Sequence, residues 1–179
     1  MNKRRANFQD AIHQERLTGG DYCAGRNLLA YAVKQKPGVV LKDLATGEEK
    51  TIAYQGKGGG SPRFSWDGTK LLFLAGMQLC VYDLDADTAA PLGDFAGPVI
   101  DPMWSPDGSH ILFASSQSAN PPVKKARKDE PVVIEDFGYK FDGAGYIRPD
   151  GHTHLFVVET ATGKVTQLTH GVRDELHHN

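Results

Sequence analysis

The stretch Ser61–Phe73 reads SPRFSWDGTKLLF, and forty residues later Asp101–Phe113 reads DPMWSPDGSHILF. Pro62 falls on Pro102, Ser65 on Ser105, Asp67 on Asp107, Gly68 on Gly108 and Phe73 on Phe113. The second copy spells out its turn. Pro106 fixes φ at the first central position of a type I turn, Asp107 can bond nearby backbone, and Gly108 takes the positive φ that other residues resist. In the first copy Trp66 stands in the place of the proline, so that turn loses preorganisation but keeps Asp67 and Gly68. An apolar run follows each turn, KLLFLA from Lys70 and HILFAS from His110, so each copy opens with a β-hairpin. Ser65, Asp67, Gly68, Ser105, Pro106, Asp107 and Gly108 are the candidate turn residues, with a structural role.

The repeat runs past the hairpin. MQLCVYDLDADTAAPL from Met77 matches PGVVLKDLATGEEKTI from Pro37, and HLFVVETATGKVTQLT from His154 is a third version. Each is two strands around a polar turn, so one unit is four antiparallel strands in up-and-down order. Four strands per roughly 40 residues is the mark of a β-propeller blade, which must stack on neighbours to bury both faces. A sandwich gives no reason for a matched period. The expectation is all-β: a partial β-propeller of about three four-stranded blades. Blade one covers 21–56, with a degenerate opening turn at Ala24–Asn27. Blade two covers 57–96. Blade three covers 97–171 and carries a long insertion over 116–153. Residues 1–20 form a lead with a candidate short helix at Asn7–Leu17, and 172–179 would start a next blade. Closed propellers have about 4 to 8 blades, so a piece of a propeller is expected.

Composition sets the class. The chain has 179 residues, 40% hydrophobic and 23% charged, which suits a globular domain with a real core. The net charge of −2 gives no general pull toward nucleic acid or an acidic membrane. No apolar run approaches the ~20 residues of a membrane helix. The basic start MNKRRANFQDAIHQERL lacks the apolar core of a secretory signal. Cys23 and Cys80 read as two buried thiols of a cytoplasmic protein.

Four patterns invite chemistry, and each has a plainer reading. GKGGGS (Gly56–Ser61) lacks the Lys-Ser/Thr and helix of a phosphate loop, and reads as a flexible connector between blades. Asp83, Asp85 and Asp87 alternate as in a calcium loop, but Thr88 and Asp94 stand where that loop needs Gly and Glu, so a polar hairpin turn is preferred. His152 and His154 share a strand face without a third ligand, and are read as surface histidines. KKARK (Lys124–Lys128) has no interleaved aromatics, so no nucleic-acid partner is expected. No cofactor and no metal is expected.

The Trp104–Gly108 turn resembles the repeats of TolB-like propellers. The stretch YKFDGAGYIRPDGHTHLFVVETATGKVTQLTHG, Tyr139–Gly171, is similar to a segment of the acylaminoacyl-peptidase branch of the prolyl oligopeptidase (S9) family. The likeness holds from about Ser61 to Gly171, is loose over Asp21–Gln55 and is absent in the first twenty residues. It implies an N-terminal, non-catalytic propeller that caps an α/β-hydrolase domain and admits short peptides to its serine. That hydrolase domain is missing from this chain, and no serine here sits in a G-x-S-x-G nucleophile elbow. No catalytic residue is therefore assigned, and the chain alone is expected to be inactive. The implied partners are the hydrolase domain or the remaining blades of a parent protein, and that protein's peptide substrate. Self-association through open blade faces around Leu28–Val33 and Leu155–Val158 is also expected. A free-standing TolB-like interaction module is the alternative.

Overall fold

The computed structural model describes residues 16–34, 36–57, 59–95, 97–118, 140–141, 145–146 and 151–171. The first sheet comprises β1 (Leu17–Cys23), β2 (Leu28–Val33), β3 (Val39–Asp43) and β4 (Glu49–Ile52). The second comprises β5 (Gly59–Phe64), β6 (Lys70–Ala75), β7 (Gln78–Asp83) and β8 (Thr88–Pro91). The third begins with β9 (Ile100–Trp104) and β10 (His110–Ser118). After a small separate pair, β11 (Lys140–Phe141) and β12 (Gly145–Tyr146), it ends with β13 (Gly151–Glu159) and β14 (Val165–Gln167). Each four-stranded sheet is antiparallel and up-and-down, with neighbours in space consecutive within the sheet. This is the all-β partial propeller that the repeat implies.

Strand β6 explains how the sheets stack. Its side chains alternate between faces. Leu71, Phe73 and Ala75 point into a core shared with Ala30, Ala32, Val39 and Ile52 of the first sheet. Leu72 points the other way, into a core with Trp104, Ile111, Phe113, Phe156 and Val158 of the third. Strand β7 divides in the same manner, Cys80 and Tyr82 to one side and Leu79 to the other. The second sheet thus buries both faces, and each fully buried Leu or Phe contributes roughly 1.5–3 kcal/mol over an exposed one.

Several expectations need adjusting. The first strand opens at Leu17 rather than Asp21, because Leu17 and Gly19–Cys23 pair with β2 across an irregularity that double glycine allows. The candidate helix therefore loses Leu17, and its residues 7–15 lie outside the described residues. Strands β10 and β13 stay paired out to Ser118 and Gly151, so the insertion is narrower than 116–153 and spans 119–150. Most of that insertion, including 119–139, and all of 172–179 lie outside the described residues.

The open faces also alternate. Ala30 and Ala32 face the second sheet, as do Phe156 and Val158, so Leu29, Tyr31, Leu155 and Val157 are the outward members of the two runs. Nor is the glycine run a loose connector at its end. A Cβ on Gly59 would lie 2.5 Å from the carbonyl oxygen of Gly38, and one on Gly38, at φ 81°, would lie 2.2 Å from that of Ile52. Backbone meets backbone at this seam, and there is no room for a side chain.

Candidate functional site

The turn residues singled out from the repeat form two nearly superposable networks. Ser65 Oγ donates to Asp67 Oδ1 at 2.6 Å and accepts from the Lys70 amide at 2.9 Å. Ser105 Oγ donates to Asp107 Oδ1 at 2.6 Å and accepts from the His110 amide at 2.9 Å. In both, Gly68 or Gly108 donates its amide to the serine carbonyl at 2.9 Å with φ near +68°, as 67° and 69°. Hydrogen bonds from Ser65, then from the Thr69 amide and hydroxyl, hold the Asp67 carboxyl down at about 2. Asp107 is lowered in the same way by Ser105 and Ser109. The two turns differ in their surroundings. A Cβ on Gly68 would come within 2.8 Å of Cys23 Sγ, so this turn packs against the first sheet, whereas Gly108 has open space. The matching corner of the first sheet is a 3-10 turn at Ala24–Arg26, closed by Asn27 at φ 51°.

The aspartates that mimic a calcium loop have separate partners. Asp83 accepts the amides of Asp85 and Ala86 within its own turn. Asp85 reaches back to Arg26 of the first sheet, with Nη1–Oδ1 at 2.8 Å and Nη2–Oδ2 at 3.1 Å. Asp87 pairs with Lys50, also of the first sheet, and accepts from the Tyr82 hydroxyl. Lys50 lies 5.7 Å above the Tyr82 ring centroid. The bond to Lys50 lowers Asp87, and burial raises Tyr82. This hairpin is an inter-sheet clasp. Among the described residues, no three His, Cys, Asp or Glu side chains are grouped to hold a metal.

His154 departs from the surface reading. It is buried because it shares a face with Phe156 and Val158, and it lies opposite Ser115 in register. His154 Nδ1 and Ser115 Oγ are both buried without a hydrogen-bond partner. Nothing in the local sequence marks the pair, since the histidine's burial depends on the facing sheet. Cys23 and Cys80 are buried and free, and burial pushes the Cys80 thiol up to about 11, which leaves it unreactive.

A groove of about 730 Å³ opens along the turn edge, between the corner of the first sheet and the Ser65–Gly68 turn. Phe64 and Trp104 line its floor, and Tyr22, Arg26, Arg63 and Trp66 its walls. Trp104 Nε1 donates to the Arg63 carbonyl at 3.0 Å, and the Phe64 amide donates to Asp21 Oδ2 at 2.8 Å. Two clamps from the flanking sheets therefore hold the backbone on either side of the Arg63–Phe64 peptide unit. The sequence alone did not bring these residues together, because the corner of the first sheet lacks the Ser-x-Asp-Gly signature that marks the other two turns.

Three up-and-down antiparallel four-stranded sheets, stacked face on face and joined in register by a forty-residue repeat, are consecutive blades of a β-propeller. Comparison narrows the kinship. Over 118 residues the chain is 32% identical to the uncharacterized peptidase YuxL of Bacillus subtilis (strain 168), a match that takes in 60% of this chain and 18% of that protein. Its fold superposes on acylaminoacyl peptidase of Pyrococcus horikoshii with a TM-score of 0.67 at 20% identity, over 87% of this chain and 25% of that one. A putative TolB of Agrobacterium tumefaciens gives a TM-score of 0.55 at 16% identity, over 86% and 48%. No family model matches the chain. The chain is a partial β-propeller with a peptidase as its sequence relative, and its fold is that of part of acylaminoacyl peptidase and of a TolB-like propeller. It spans about a fifth of the peptidase that it resembles in sequence. Among the described residues, no helix is long and apolar enough to cross a membrane.

Proposed function

We propose that this chain is the non-catalytic propeller part of an S9-type serine peptidase of the acylaminoacyl-peptidase kind, and that it gates peptide access to a hydrolase domain. The observation that carries the reading is the 32% identity to a peptidase across 118 residues. The described residues contribute a scaffold: buried thiols, turn carboxylates committed to their own loops, and carboxylates that clasp sheet to sheet. The catalytic groups are assigned to sequence outside these 179 residues. A cytoplasmic location goes with this reading.

The test has two parts. A reading frame that continues past Asn179 into a G-x-S-x-G elbow supports the proposal, and a stop codon there counts against it. The purified 179-residue chain should turn over no chromogenic acyl-peptide, and turnover abolished by a serine-directed inhibitor would overturn the scaffold role. A free-standing TolB-like module is the second reading, favoured by the TolB match that this chain half covers. On either reading the outward faces carrying Leu29 and Tyr31, and Leu155 and Val157, are the surfaces for further blades or a second copy. Sedimentation over a concentration series checks the second-copy case, in which mass rises with concentration.

A further inference from the structure

The turn-edge groove carries features that stacking the blades does not require. Trp66 occupies the position that Pro106 holds in the third sheet, where proline would stiffen the turn. The indole is 77% exposed, the largest exposed apolar side chain among the described residues. Tyr22 stands half-exposed on the first-sheet side of the same groove, with its hydroxyl donating to Asn27 Oδ1 at 3.1 Å. A residue that gives up turn rigidity and puts a second exposed aromatic ring on the lining of one groove offers a surface for stacking.

The charges lining the groove point to what it takes. Asp21 accepts the Tyr22 and Phe64 amides. Asp67 is held by Ser65 and Thr69, and Arg26 is paired with Asp85. Arg63 stands apart. Its side chain is exposed, its one bond runs to the neighbouring Pro62 carbonyl at 3.0 Å, and among the described residues no carboxylate pairs with it. The guanidinium keeps most of its five donors free, on a backbone clamped from both sides.

We propose that this groove binds a peptide segment presenting a carboxylate beside an aromatic side chain. The carboxylate would pair with Arg63 in a charge-assisted bond, and the ring would stack on Trp66 and Tyr22. The volume of about 730 Å³ lies within the range of ligand sites. The residues named here all belong to the described sheets and none is assigned a part in catalysis, so failure of this site would leave the peptidase reading intact.

Calorimetry with acetyl-Phe-Glu-Phe-amide, and with its Gln and Lys counterparts, tests the proposal. Trp66 is exposed and Trp104 buried, so the glutamate peptide should also quench the solvent-exposed part of the tryptophan emission. The glutamine peptide should bind roughly tenfold more weakly, the loss of one charge-assisted bond. Arg63→Gln should bring the glutamate peptide down to the glutamine level. Trp66→Pro, which restores the turn of the third sheet, should weaken binding by roughly tenfold while leaving thermal unfolding unchanged or raised. Trp66→Ala gives the same readout without altering the turn's φ preference. Lysine peptide binding as tightly as glutamate peptide would overturn the carboxylate assignment. Unchanged affinity in Arg63→Gln, or no binding of any peptide at millimolar concentration, would overturn the site.

Discussion

The two seams of the second sheet are built from opposite materials. Toward the first sheet it meets Ala30, Ala32 and Val39, small side chains that let the sheets approach around Phe73, and the rim is closed by the ion pairs Arg26–Asp85 and Lys50–Asp87. Toward the third sheet it meets rings. Phe113 lies edge-on to Phe95 at 4.6 Å and stacks with Phe156 at 5.6 Å, while Trp104 crosses the seam with a neutral bond to the Arg63 carbonyl. One strand serves both, because alternation along β6 sends Leu71, Phe73 and Ala75 one way and Leu72 the other. Blades that look equivalent in sequence can therefore be joined by different physics, and the seams should fail in different ways.

The largest test is Phe113→Ala. Emptying the ring cluster should cost about 3–5 kcal/mol in urea unfolding. A loss under about 1 kcal/mol would mean that the aromatic seam closes up as easily as the alanine seam, and would erase the contrast. Next is Ala32→Leu, which overfills the close seam and should cost about 1–3 kcal/mol by the same measurement. A neutral outcome would show that the first two sheets have slack.

A third test separates the turns from the seams. Asp67 has a depressed folded value of about 2 against 3.8 unperturbed, so its contribution is in full force above pH ~4 and is lost as pH falls toward 2. Asp67→Asn should flatten the stability profile between those limits and leave it little changed in shape at neutral pH. An unchanged acid limb would remove Asp67 from the account. The smallest effect is expected from Asp85→Asn with Asp87→Asn. Both carboxylates are exposed, so the loss should be slight and should vanish in high salt. A large, salt-independent loss would make the clasp as important as the small-residue core.

The forty-residue register made the blades legible, because Ser-x-Asp-Gly specifies its turn through bonds that close within six residues, Ser65 to Lys70 and Ser105 to His110. The turn residues could be named for the same reason. What could not be read depends on the neighbouring sheet. Asp85 and Asp87 look like ligands until Arg26 and Lys50 arrive from the first sheet. His154 looks like a surface residue until the second sheet covers its face. Leu17 looks like the end of a lead until β2 pairs with it, since Gly19–Gly20 hides the strand's alternation. The groove follows the same rule: Tyr22, Arg63, Trp66 and Trp104 are scattered over eighty residues and converge when three sheets stack.

Every strand in these sheets hydrogen-bonds its predecessor or successor within the same sheet. This has a consequence for how the protein is made. As the chain leaves the ribosome, the first sheet is complete once Ile52 has emerged and the second once Pro91 has, with no strand waiting for a distant partner. The third sheet is different, because β10 ends at Ser118 and must wait for β13 at Gly151. Closing that gap is a slower, non-local step. Assembly is therefore vectorial through two blades and pauses at the third. During the pause the unpaired edge of β10, with Phe113 still lacking its partner Phe156, is the part of the nascent chain that a holding chaperone would meet.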